Sequence, residues 1–136
     1  MKRRDVLLLL VLGLAIWLIG TLGYAYTEAA ILETTSLRYW ISFFASPVIS
    51  CAICIWIVWR RRVPRANWAA AMLLLTIPGM VGEAVVLTNL PVFMPALHAT
   101  SGGKYGALLF ATYAVVLGLA EAVTLSAHSR IPVRRA

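Results

Sequence analysis

Residues 39–65 read YWISFFASPVISCAICIWIVWRRRVPR. Positions 39–59 carry no charge, and Arg60, Arg61, Arg62 and Arg65 follow at once. A helix rises about 1.5 Å per residue, so roughly 20 apolar residues cross the ~30 Å hydrocarbon layer of a bilayer. Lys and Arg are retained on the cytoplasmic side, so the arginine cluster marks where this span stops. The stretch therefore reads as a transmembrane helix with its inner end labelled.

Three further runs have the same character, at 6–26, 68–88 and 105–127. The reading is an all-α integral membrane protein, one domain over 1–136, built as an antiparallel bundle of four transmembrane helices. Composition agrees: the chain is 62% hydrophobic and 12% charged, with a mean hydropathy of +0.88, values foreign to a soluble core. A net charge of +7 in a soluble protein would raise nucleic acid as a partner. Here the charges sit at the span ends: Lys2, Arg3, Arg4, Arg60, Arg61, Arg62, Arg65, Arg130, Arg134 and Arg135 on one side against Arg38 and Lys104 on the other. That bias predicts cytoplasmic termini and a cytoplasmic 60–65 loop, with the lipid bilayer rather than nucleic acid as the partner. The first apolar run exceeds the about 7 to 15 residues of a secretory signal core, so it is expected to stay as a span.

The links between spans are short, which predicts that consecutive helices pack as neighbours. Tyr24, Tyr26, Tyr39, Trp40 and Tyr105 mark the outer interface, and Trp59 and Trp68 the inner one. The outer loop at 89–104, NLPVFMPALHATSGGK, is broken by Pro91, Pro95, Gly102 and Gly103, yet its middle is too apolar to stand in water. It is expected to lie at or dip into the outer interface, or to fold over the outer end of the bundle. The 27–38 loop has few turn-formers around Glu28 and Glu33, so the first helix should run on beyond the bilayer.

Helices in lipid pack through small residues. On that basis the last span should face inward through Ala107, Ala111, Ala114, Gly118 and Glu121, and the third through Ala69, Met72, Thr76, Gly79 and Glu83. Gly13, Gly20 and Thr27 mark the first span, and Ser42, Ser46, Ser50 and Cys54 the second. Counting helical rise, Glu83 lies about 22 Å from the inner end and Glu121 about 24 Å from the outer end, so the two acids are separate features rather than a dyad.

An acid within a span is a functional candidate by default. Glu83 has two readings. It is either a carboxylic acid that is neutral or paired with Arg38, Lys104 or His98 from the outer loops, locking the bundle, or a cation, proton or ligand site formed with Asn89, Arg38 and His98. Pro78 frees the carbonyl of Leu74, and Gly79 and Gly82 allow close approach beside it. Glu121 reads as structural, reaching Arg60 or His128 at the inner side. Cys51 and Cys54 form a C-x-x-C that resembles the thiol pair of four-helix quinone-linked disulfide oxidases. Those enzymes hold the pair near the outer face and need a second pair, whereas this one lies about 20 Å below Arg38 and no other cysteine occurs, so packing is the expected role. His98 and His128 stand on opposite sides without ligand spacing, so no metal is expected, and no cofactor motif is present.

The second half, PGMVGEAVVLTNLPVFMPAL and then GGKYGALLFATYAVVLGLAEA, resembles a group of small bacterial four-helix membrane proteins with no established activity. The resemblance implies a multi-pass protein of the bacterial inner membrane. The small multidrug exporters share length and helix number, but their acid lies in the first helix, which here has none between Asp5 and Glu28. The expectation is a non-enzymatic binding or accessory protein with an outer-side polar site around Glu83, working with lipid and with a second copy or a partner membrane protein. A small proton-coupled transporter is the alternative, and a membrane thiol oxidoreductase the second.

Overall fold

The computed structural model describes residues 3–32, 35–95 and 97–129. Lys2, Glu33, Arg130, Arg134 and Arg135 lie outside them, so their part in the charge bias has no structural counterpart here. Four long helices make up the fold: α1 (Arg3–Leu32), α2 (Ser36–Arg60), α3 (Trp68–Thr88) and, after the one-turn α4 (Leu90–Phe93), α5 (Gly102–His128). All four are long and apolar enough to cross a membrane, and no strand occurs among the described residues. The chain is thus an all-α four-helix bundle of membrane character. As expected, α1 runs on past the apolar run, to Leu32.

The direction of the helices alternates. Asp5 at the start of α1 pairs with Arg61 just past the end of α2, 3.1 Å apart, and Tyr39 near the start of α2 donates to the Lys104 carbonyl at the start of α5. The neighbours differ from the sequence expectation, however. α1 packs mainly on α3, α2 mainly on α5, and α3 on α5, while α2 has little contact with α1 or α3. Only the last consecutive pair, α3 and α5, packs as the short links led one to expect.

Local chemistry explains the element ends. After α2 the Arg62 N–H reaches the Trp59 carbonyl and the Val63 N–H that of Val58, with Arg62 at a left-handed φ of 51°. This is a Schellman stop, with an arginine where glycine is usual. At the inner end Thr124 holds α5 to α3: its hydroxyl accepts from the Ala69 N–H at 3.0 Å, one of the donors a helix start leaves unpaired, and donates to the Ala120 carbonyl. The outer loop does fold over the bundle. Leu90, Met94 and Leu97 are buried there with Leu32, Val86 and Tyr105.

A second cluster, including Leu9, Ile57, Val58, Met72 and Val116, fills the inner half. Outside, Leu7, Val11, Ile19, Ile41, Phe44, Val48 and Phe110 are exposed, an apolar surface no soluble monomer carries but one that lipid solvates. The small-residue stripe of the last span is a correction. Ala107, Ala114, Gly118 and Glu121 are exposed, and α5 turns inward through Tyr105, Leu108, Thr112, Val116, Ala120 and Thr124. The inward hydroxyls cost little because Thr112 and Thr124 donate to the carbonyls of Leu108 and Ala120. The third-span face stands as read, with Met72, Thr76, Gly79 and Glu83 buried.

Candidate functional site

Glu83 lies on the inward face of α3 and is 5% exposed. Two hydroxyls from two other helices meet its carboxylate. Tyr105 Oη, from α5, donates to Oε2 at 3.0 Å and lies 3.2 Å from Oε1, and Thr21 Oγ1, from α1, donates to Oε1 at 3.1 Å. A buried charge without such partners costs several kcal/mol, and hydrogen bonds to a charged group return about 1.5 to 3 kcal/mol each. Tyr105 is fully buried, held edge-on by Tyr24 with ring centroids 5.7 Å apart. The Trp17 indole lies beside the same carboxylate, but its Nε1 is buried without a hydrogen-bond partner among the described residues.

Glycines let these groups converge. A side chain at Gly13 would run into the Leu75 carbonyl, one at Gly82 into the Trp17 ring, and one at Gly79 would meet Tyr113 Oη at 2.6 Å. Below the carboxylate a cavity of about 130 Å³ opens between all four long helices. Its wall carries hydroxyls from Ser46 and Ser50 on α2, Thr76 on α3, and Thr112 and Tyr113 on α5, with the Thr112 and Ser46 hydroxyls 3.2 Å apart. Larger grooves exist elsewhere, such as the one by Arg65 and Trp68 at the inner end, but they contain no acid.

A carboxylate has about four acceptor sites. Among the hydrogen bonds of the described residues Oε2 accepts from Tyr105, so it retains capacity for a donor reaching it through the cavity. The volume suits a group the size of a methylammonium ion or a few waters.

The predicted partners of Glu83 are elsewhere. Among the described residues it makes no ion pair. Arg38 is exposed, its backbone N–H on Thr35 Oγ1, and the Lys104 ammonium lies over the Tyr39 ring at 5.8 Å. Asn89 closes α3, its amide on the Val85 carbonyl and Thr88 hydroxyl, and His98 is exposed on the outer loop. The set Glu83, Asn89, Arg38 and His98 thus reduces to Glu83. Glu121 reaches neither Arg60 nor His128: it is exposed, while Arg60 stacks over Trp56 and His128 Nδ1 meets the Thr124 carbonyl. Both cysteines are free thiols on α2; Cys54 belongs to the inner core and touches the cavity floor. No cluster of three or more metal-ligating side chains occurs among the described residues.

Sequence reasoning missed Tyr105, taken as a belt residue, and Thr21. The available signal was weak: polar residues of apolar helices avoid lipid, so Thr112, seven residues after Tyr105 and on its face, marks the inward side of α5.

Fold and site together define a multi-pass membrane protein, a four-helix bundle closed around a buried acid. The chain belongs to DUF5367, a family of unknown function, which it matches over residues 31–127. The matched span contains Glu83 and Tyr105 but not Trp17 or Thr21. No curated protein and no solved structure matches the chain.

Proposed function

We propose that this is a non-enzymatic membrane protein that binds a small ligand through a cationic or hydrogen-donating group at Glu83. The observation that carries the reading is the carboxylate itself. It is buried, met by hydroxyls instead of a cation, and open on one side to a hydroxyl-lined cavity. An ion-paired strut finds its counter-charge within the protein; a cation-binding acid leaves that role to the ligand.

The bacterial inner membrane, with both termini in the cytoplasm, is the proposed location, supported by the asymmetry of Lys and Arg. A second copy or a partner membrane helix belongs to the same proposal, and its support is the outward face of α5 at Ala107, Ala114 and Gly118. The second reading is a small proton-coupled transporter, favoured by the same acid, since a carboxyl group can exchange a proton for a cation. Uptake of methylammonium into proteoliposomes driven by a pH gradient, in excess of that into protein-free liposomes and lost in Glu83→Gln, would distinguish it from a binding protein. A thiol oxidoreductase has less support, because it needs a second thiol pair and the chain has two cysteines in all.

The test is the thermal midpoint of the purified protein in lipid nanodiscs with and without methylammonium. Binding to the folded state raises the midpoint by mass action. The expected result is a concentration-dependent rise for wild type and none for Glu83→Gln. A wild type insensitive to methylammonium, or a Glu83→Gln variant that responds equally, contradicts the proposal.

A further inference from the structure

The cavity below Glu83 is closed at both ends. Above it, Leu32, Val86, Leu90, Met94 and Leu97 are at most 6% exposed and pack over Tyr105. Beneath it the inner core of Leu9, Val58, Met72 and Leu75 is equally tight. The weakly packed seam is sideways, between α1 and α2. There a groove of about 470 Å³ runs along the two helices, and Ile16, Gly20, Tyr24, Ser46 and Ser50 line both it and the cavity. The rest of the groove is Ile19, Ile49 and Ile53. Ile19 and Ile49 are 73% and 58% exposed, so the groove faces the hydrocarbon of the bilayer.

We propose that the ligand is a single-chain amphipathic amine that reaches Glu83 from within the membrane through the α1–α2 seam. Its ammonium head occupies the hydroxyl-lined cavity against Oε2 of Glu83, and its alkyl chain lies in the isoleucine groove. Charge fixes the head: the wall presents one carboxylate and neutral hydroxyls, and no cation contacts that carboxylate among the described residues. Size agrees, because about 130 Å³ suits a primary ammonium. The tail follows from the groove, which runs from Ile16 to Tyr24 on α1, about 12 Å of helix, a match for a chain of moderate length. An acidic or zwitterionic lipid head would place a negative charge beside Glu83 and is disfavoured.

This inference rests on the proposed role of Glu83, and its test separates the two. Octylamine carrying a diazirine at the end of its chain is added to the protein in nanodiscs, irradiated, and the labelled residues are located by mass spectrometry. The expected label falls on Ile19, Ile49 and Ile53, is competed away by unlabelled octylamine, and is lost in Glu83→Gln. A second variant, Ile49→Trp, fills the groove at an exposed residue that does not line the cavity. It should lose groove labelling while its thermal midpoint still rises with methylammonium. Label spread evenly over the lipid-facing surface, or undiminished in Glu83→Gln, overturns the lateral amine site. If methylammonium still stabilises wild type in that case, cation binding at Glu83 stands and only the chain and its route fall.

Discussion

A carboxylate placed at membrane depth persists only where its hydrogen-bonding capacity is met, and at Glu83 two hydroxyls meet it from α1 and α5. Tyr105 is the stronger of the two because it is fully buried and lies within reach of both oxygens. Tyr105→Phe keeps the ring and its contact with Tyr24 but removes the donor. The expected cost is about 1.5 to 3 kcal/mol, the value of a hydrogen bond to a charged group, read as a lower thermal midpoint in nanodiscs. Thr21→Val should cost less, because Oε1 keeps Tyr105 within 3.2 Å. Equal stability of wild type and Tyr105→Phe would mean that the hydroxyl does not support the acid. Replacing Thr21 and Tyr105 together should cost more than the two separate losses added, since the carboxylate would then be left without a donor.

Helix α1 meets α3 backbone to backbone at Gly13, which the Leu75 carbonyl approaches too closely to admit a side chain. Gly118 of α5 faces open space. The two glycines therefore predict opposite outcomes. Gly13→Ala should push α1 from α3 and lower stability by about 1 to 3 kcal/mol, the usual range for overpacking, while Gly118→Ala should hold or gain up to about 1 kcal/mol from helix propensity. Comparing the two midpoints checks this, and a harmless Gly13→Ala would contradict the close α1–α3 seam. The number of helices and the folding back of the outer loop were legible in the sequence because both follow from run length and apolar content. Which helices touch was not. Short links fix direction but not partners, so α1 could not be set beside α3, nor Thr21 beside Glu83. The face of α5 was misread for a related reason. Small residues permit close packing without requiring it, and α5 buries Tyr105, Leu108 and Val116 against two neighbours at once, leaving Ala114 and Gly118 outward.

At the scale of the whole molecule, the described residues pack over the cavity at both ends and leave an apolar groove along the α1–α2 seam. Its proposed orientation rests on charge alone. A reporter active only outside the cytoplasm should give signal when fused at Thr35 or Ser101 and none at Val63 or Ala136; signal at Ala136 would overturn the even number of crossings. The fold positions Glu83 in the outer third of the bundle, beneath the plug of Leu90, Met94 and Leu97 and above the hydroxyls of Ser46, Ser50 and Thr112. Everything proposed about function depends on that carboxylate contacting the ligand. Infrared difference spectroscopy of the protein in nanodiscs, recorded as methylammonium is added, observes the carboxyl stretch itself. The account predicts a ligand-induced change in the carboxyl region for wild type, altered in Tyr105→Phe and absent in Glu83→Gln. A spectrum unchanged by methylammonium in wild type, or the same change in Glu83→Gln, would contradict it.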